Sequence, residues 1–175
     1  VNVWARMIFE DAGNNRGKVF WPEKDDEVII GFLNADPRNP VILGSLFSKV
    51  NVPPIDPDEE NSQKGIISRE GIKIIFNDED NSVNIETPSG NKVTLDDKKK
   101  SIFLEDQNQN SIKLDGGGIS LISNGDLSIE ASKKVSIKSD MDIEMEGMNI
   151  KNTAKAKFSA DGSAGSELTL SLIHI

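Results

Sequence analysis

From residue 65 onward, short apolar pairs in strict alternation recur at nearly fixed spacing, and no other feature restricts the fold of this chain so strongly. Ile72/Ile74/Phe76, Val83/Ile85, Val93/Leu95, Ile102/Leu104, Ile112/Leu114 and Ile119/Leu121 come first. Leu127/Ile129, Val135/Ile137, Met141/Ile143/Met145 and Met148/Ile150 follow. A period of two puts each pair on one side of a strand. Polar punctuation separates the pairs: Asn77–Asn81, Pro88–Gly90, Asp96–Lys100, Gly116–Gly118 and Asn124-Gly125. From Val83 the pairs start 10, 9, 10, 7, 8 and 8 residues apart. A meander of hairpins or a β-sandwich would be the conventional solutions. Against both, each strand offers only two inward side chains, and aromatics, 5% of the chain, are too few to fill a two-sheet core. From Ile112 the period tightens toward eight residues, which suits a repeat whose short strands stack on one another.

A two-residue apolar face cannot offset the entropy of ordering its own backbone without neighbours above, below and beside it. Three chains wound around one axis would supply those neighbours and remove exposed lateral edges. The expected inward-facing residues of such a rod are Ile112, Leu114, Ile119, Leu121, Leu127, Ile129, Val135, Ile137 and Ile143. At roughly 4.8 Å per stacked strand, about ten strands would give a rod on the order of 50 Å long. Repetition is what the pattern establishes; three copies is the expectation drawn from it.

The rest of the chain is organised differently. Residues 1–49 hold most of the bulky side chains, Trp4, Phe9, Phe20, Trp21, Phe32 and Phe47, and predict a small β domain. Its candidate strands are Val3–Phe9, Gly17–Trp21, Glu27–Leu33 and Val41–Phe47. The break Asn34–Pro40, with Pro37 and Pro40, makes the last two a hairpin. Residues 50–64 carry prolines and acids with almost nothing to bury, and predict a stiff linker. Residues 65–158 form the expected rod, and 159–175 a tip or tail segment. The opening, strand-like and without an initiator Met, reads as cut from something longer.

The net charge of −9, with lysines scattered among acids, argues against a nucleic-acid partner, whose phosphates need clustered Lys/Arg. Without Cys there are no disulfides or thiolate metal sites. No apolar run approaches the ~20 residues of a membrane helix.

Three stretches together resemble the contractile-tail spike family: Val3–Met7, Gly17–Ser48 and Lys64–Asp78. The second is the most specific, with its acidic start, its apolar run into Gly31-Phe32, and then Asn34-Ala-Asp-Pro-Arg-Asn-Pro40-Val41. Asp126–Ile150 is also similar to the repetitive rod of such proteins. The family comprises the VgrG-type spikes of type VI secretion, the central spikes of contractile phages, and those of related extracellular injection particles. The resemblance implies an all-β chain, a partial OB-fold-like β-barrel followed by an intertwined trimeric β-helix. The barrel lacks the first strands of the family pattern. It also implies a homotrimer with an inner-tube protein and baseplate at the N-terminal side, and a tip protein or effector at the other end. Contact with a target membrane would be transient. Such a spike is assembled in the bacterial cytoplasm and then secreted or delivered into a target cell. The alternative from another class is a trimeric fibre or adhesin; against it, no Trp or Tyr follows Trp21 to build a receptor-binding head.

No enzyme is expected. Some phage spikes carry a lysozyme domain between base and rod, but here that interval is the short linker. Its acids Asp56, Asp58, Glu59 and Glu60 have nothing nearby to desolvate one of them for glycoside hydrolysis. The Asn77–Asn81 stretch offers oxygen ligands but lacks the spacing and glycine of a dedicated Ca²⁺ loop, and reads as a polar turn. No cofactor or metal is expected beyond one candidate. His174, the single histidine, would meet its two symmetry mates on a trimer axis, and some phage spike tips bind iron through clustered histidines. Gly116–Gly118 lack the Lys-Ser/Thr of a phosphate loop and mark a tight corner.

Overall fold

The computed structural model describes residues 3–165, which divide into two compact units between Leu127 and Ser128. Nearly all the regular structure is β, and it lies in the first unit.

The N-terminal part is a small three-stranded sheet. β1 (Arg6–Met7) is followed by a two-strand ribbon, β2 (Ala12–Gly13) and β3 (Arg16–Gly17), and then by β4 (Val28–Phe32) and β5 (Pro40–Ser45). β4 and β5 pair antiparallel, with a bulge at Ile29/Ile30, and β1 lies parallel to the other edge of β5. The expected hairpin is therefore present, and a 3-10 turn over Leu33–Ala35 closes it. Asn34 and Ala35 take up left-handed backbone there. Pro40 begins β5, where its missing N–H interrupts the ladder least. Val41, on the central strand, is 5% exposed and is the one buried apolar side chain among the described residues.

Two expected strands are shorter than their composition suggests. Val3–Phe9 pairs only through Arg6–Met7, with one more bond from the Ile8 amide to the Ile42 carbonyl. Gly17–Trp21 is strand only at its first residue. Lys18 still bonds back to the Asp11 carbonyl, but beyond it Trp21 turns aside to stack edge-on against Phe9, ring centroids 4.8 Å apart. That aromatic contact competes with further ladder pairing and wins.

Residues 63–122 form a seven-stranded antiparallel meander: β6 (Gln63–Ile67), β7 (Lys73–Asn77), β8 (Ser82–Glu86), β9 (Lys92–Asp96), β10 (Ser101–Glu105), β11 (Ser111–Asp115) and β12 (Gly118–Ile122). Each strand pairs with its sequence neighbours. Here the fold differs from the stacked repeat favoured on sequence grounds, because every turn folds the chain back on itself. Each turn places a residue in the left-handed region: Gly71, Asn81, Gly90, Lys100, Gln109 and Gly118 in order. That conformation ends a short loop in the twist the hairpin needs. Glycine and asparagine adopt it readily; Lys100 and Gln109 do so at a cost.

The linker is less empty than its composition implies. β6 starts inside it, at Gln63, and Ile55 is half-buried against the sheet. A Cβ added to Gly65 would stand 3.1 Å from Ile55 Cδ1 and 2.6 Å from Ile75 Cδ1, so glycine makes room for this contact. Arg69, in the β6–β7 turn, pairs with Glu23 at 2.9 Å.

After Ile122 no described residue lies in a strand. The pairs from Leu127 to Ile150 keep their alternation in sequence but have no ladder partner among the described residues.

Candidate functional site

The register of the meander turns its scattered apolar pairs into two unbroken columns on one face. The first runs Ile66, Ile74, Ile85, Val93, Leu104, Ile112, Leu121, each directly opposite the next. The second runs Lys64, Phe76, Val83, Leu95, Ile102, Leu114, Ile119. Such alignment requires that no strand slip by one residue, since a single slip would send its pair to the opposite face. Fixed turn geometry enforces this.

The opposite face is mostly polar, with Ile67, Ile75, Phe103 and Ile122 as its apolar members. Lys73, Glu86, Lys92 and Glu105 stand opposite one another with alternating sign. Lys92 Nζ pairs with Glu105 at 2.5 Å and also lies 5.3 Å from the centre of the Phe103 ring, shielding the aromatic on this face. Thr94 Oγ1 donates to Asn84 Oδ1 at 2.9 Å across the middle column.

The apolar face, by contrast, is uncovered. Leu104 in mid-column keeps 37% of its surface exposed, and Ile119 at the end keeps 78%. Ile85, Val93, Leu104, Ile112 and Leu121 of the first column, with Leu127 beside them, line an open apolar groove of ≈ 600 Å³. A contiguous apolar surface of this kind marks an interaction site.

Of the nine expected rod residues, Ile112 and Leu121 fall in the first column and Leu114 and Ile119 in the second. Leu127, Ile129, Val135, Ile137 and Ile143 lie past the last strand, between 51% and 74% exposed. The sheet thus brings four of the nine together. Reading the pairs alone missed Ile66 as the first member of its column and Lys64 as the charged head of the other. Lys64 Nζ bonds to the Asn61 carbonyl and to Asp78.

The turns carry most of the fixed electrostatics. Asp96 is 5% exposed; its Oδ1 accepts the Lys99 amide at 2.7 Å and its Oδ2 pairs with Lys99 Nζ at 2.9 Å. Those two bonds hold its carboxyl below the usual range. Asp106 is lowered by bonds from the Asn110 side chain and backbone, and Asp115 by the Lys113 ammonium and the Gly117 amide. Asparagines tie successive turns together: Asn91 Oδ1 accepts from the Gln107 amide at 3.1 Å, and Asn110 Oδ1 from the Asn124 amide at 2.8 Å. The signal for these ties is an asparagine closing a turn just before the next strand, which the search for apolar pairs passed over.

The other candidates are dispersed. Asp56, Asp58, Glu59 and Glu60 are all exposed on the linker. Asn77–Asn81 joins β7 to β8; Asn77 Oδ1 accepts the Glu79 and Asp80 amides, and Asp80 pairs with Lys98. Gly116–Gly118 form the β11–β12 corner, with the Gly117 amide bonded to Asp115 Oδ1 at 2.8 Å. His174 lies outside the described residues, and among those described no cluster of His, Cys, Asp or Glu is placed to hold a metal.

Known proteins share both parts of the chain. Residues 1–47 match the family model of the type VI secretion system/phage-baseplate injector OB domain. Residues 82–164 match that of the phage baseplate V C-terminal trimerisation domain. The chain is 38% identical over 53 residues to the type VI secretion system spike protein VgrG3 of Vibrio cholerae, covering 30% of this chain and 5% of that protein. It is 32% identical over 68 residues to the spike protein VgrG1a of Pseudomonas aeruginosa, covering 39% of this chain and 11% of that protein. The actin cross-linking toxin VgrG1 of Vibrio cholerae is 38% identical over 53 residues, with 30% and 5% covered. The chain therefore spans only a small part, 5% to 11%, of these curated relatives. An injector OB domain followed by a baseplate trimerisation domain places the chain in the VgrG-type and contractile-phage tail spike family.

Proposed function

We propose that this chain forms a homotrimeric spike of a contractile injection machine, most closely of the type VI secretion kind, and that it acts mechanically. The observation that carries this reading is the pair of apolar columns on a face left open in a single chain, which from β8 onward lie within the stretch matched by a trimerisation domain. Three copies facing one another would cover all three faces at once. The polar face of each, with its alternating Lys and Glu, would meet water.

The pairs from Leu127 to Ile150 extend the same logic. Lacking partners among the described residues of their own chain, they would take them from the other two, giving the intertwined rod. No strand of such a rod leaves without breaking contacts to two other chains, so its resistance is a slow unfolding rate rather than a modest equilibrium quantity. Driven by a contracting sheath, the spike would pierce a target envelope and carry effectors with it. Its OB-like end would adjoin the inner tube and baseplate. It would be assembled in the bacterial cytoplasm and then secreted or delivered. Nothing in this mechanism requires catalysis. The same geometry would serve the spike of a contractile phage or extracellular particle, and the matched OB domain is common to type VI and phage injectors.

The test is the absolute mass of the full chain by light scattering after size exclusion, with and without mild detergent. Three chains resisting dissociation are expected. A monomer at micromolar concentration would refute the reading, because the columns would then have no partner.

A further inference from the structure

The asparagine ties on one side of the meander end at the residues through which the chain leaves β12. There the Asn124 amide N–H donates to Asn110 Oδ1 at 2.8 Å, and Asn124 Nδ2 donates to the Asn108 carbonyl at 2.8 Å. Asn124 is followed by Gly125, the one Asn-Gly pair in the chain. Nothing lies within 4 Å of the place a Gly125 Cβ would occupy. The Gly125 N–H donates only a long bond, 3.3 Å, to the Ser123 hydroxyl. The side-chain amide carbon of Asn124 thus precedes a backbone nitrogen with no side chain to block its approach, in an exposed turn.

We propose that Asn124 is a site of spontaneous deamidation, and that its conversion loosens the exit turn's hold on the sheet. The Gly125 nitrogen attacks Asn124 Cγ. An N–Cγ bond forms, the Cγ–Nδ2 bond breaks, and Nδ2 leaves as ammonia carrying the former Gly125 proton. The resulting five-membered imide takes up one water at either carbonyl and opens to aspartate or isoaspartate. Water is the only co-reactant, and nothing is oxidised or reduced.

Loss of a donor then breaks the side-chain half of the tie. The Asn124 side-chain amide gives a hydrogen to the Asn108 carbonyl; a carboxylate in its place has none to give and sets oxygen against oxygen. The new negative charge also joins Asp106, which already holds the side chains of Asn108 and Asn110, and the nearby Asp126. Isoaspartate adds a carbon to the main chain and displaces Gly125 and Asp126. By either route the side-chain bond is lost, and the Asn124 amide bond to Asn110 Oδ1 is left to hold the exit alone.

The chain contains its own comparison. Asn61-Ser62, Asn81-Ser82 and Asn110-Ser111 are the next most susceptible pairs. In each, the serine Cβ crowds the attacking nitrogen, and Ser82 and Ser111 are held in β8 and β11.

The experiment ages the purified full chain in warm, mildly alkaline buffer and tracks each asparagine by peptide mapping and mass spectrometry. Hydrogen exchange is read on the aged and fresh protein. Deamidation at Asn124 several-fold faster than at any Asn-Ser pair is expected, with loss of protection over 123–126 and unchanged protection in β7–β10. Gly125→Ala should slow the reaction several-fold without disturbing the fold, since Gly125 lies outside the left-handed region and has open space around it. Asn124→Asp should reproduce the loss of protection in fresh protein. A rate at Asn124 no greater than at the Asn-Ser pairs would overturn the proposal, as would an aged chain whose 123–126 protection is intact. Light scattering on the same fresh and aged samples keeps the outcome at Asn124 distinguishable from that of the trimeric-spike reading.

Discussion

Leu104→Asp would put a carboxylate into the middle of the first apolar column, between Val93 and Ile112. Leu104 is 37% exposed in one chain, so roughly 65 Å² of its surface remains to be covered, worth about 1.6 kcal/mol per chain at ~25 cal/mol/Å². Phe76, Ile85, Leu95, Ile102 and Ile112 are 40–44% exposed. Together with Leu104 they would contribute about 10 kcal/mol per chain on trimer formation. The aspartate forfeits its own share and adds the cost of burying an unpaired ion, several kcal/mol for each copy. Three like charges would also face one another near a common axis. The proposed trimer should therefore fail to form at micromolar concentration. The sheet of a single chain should survive, since Leu104 is only partly covered there and strand preference alone accounts for about 1 kcal/mol. Light scattering gives the mass, and circular dichroism shows whether the strands remain. Ser120→Asp is the control: it lies on the polar face of β12, opposite Lys113, and should leave the mass at three chains. A Leu104→Asp protein that is still trimeric and equally resistant to denaturant would refute the assignment of this face to the interface.

Other expectations are more local. Gly65→Ala would bring a Cβ to 2.6 Å from Ile75 Cδ1 and 2.7 Å from the Ile74 carbonyl oxygen, so it should lower stability by about 1–3 kcal/mol, read as a lower denaturation midpoint. An unchanged midpoint would show that Ile55 does not pack there. Gln109→Gly relieves a left-handed residue at φ 66 and should raise stability by about 0.5–1 kcal/mol after the extra chain entropy of glycine is subtracted. The carboxyls of Asp96, Asp106 and Asp115 are held below their ordinary values in the folded chain. Their stabilisation is thus complete above the unfolded carboxylate range, near about pH 4, and is lost as pH falls through it toward the depressed folded values. Hydrogen exchange at the Lys99, Asn110 and Gly117 amides, after correction for intrinsic rates, should show these turns loosening on acidification; protection that instead falls as pH rises would contradict the assignment.

Up to Ile122 the alternating pairs specified strands, and the hairpin at Val28–Ser45 was legible because a proline-rich break between two apolar runs leaves little else to form. Residues 50–64 read as a bare linker because only one apolar residue there, Ile55, finds a partner, and the partner is a space beside Gly65 that sequence does not display. Phe9 and Trp21 show the converse. Their composition favours longer strands, yet a stacked aromatic contact between residues twelve apart in sequence took precedence over local propensity.

By itself, the sequence determined that every repeat has one apolar face two residues wide, because side-chain direction alternates along any strand. It also set the spacing that keeps those faces alike from one repeat to the next. Which strand each repeat pairs with was decided only in the folded chain. Up to Ile122, turns ending in a left-handed residue return the backbone beside itself, so ladder bonds are satisfied within one chain and the apolar residues fall into two columns. Beyond Ile122 the same alternation finds no such ladder among the described residues. Alternation fixes where side chains point, whereas hydrogen-bond partners depend on where the turns send the backbone.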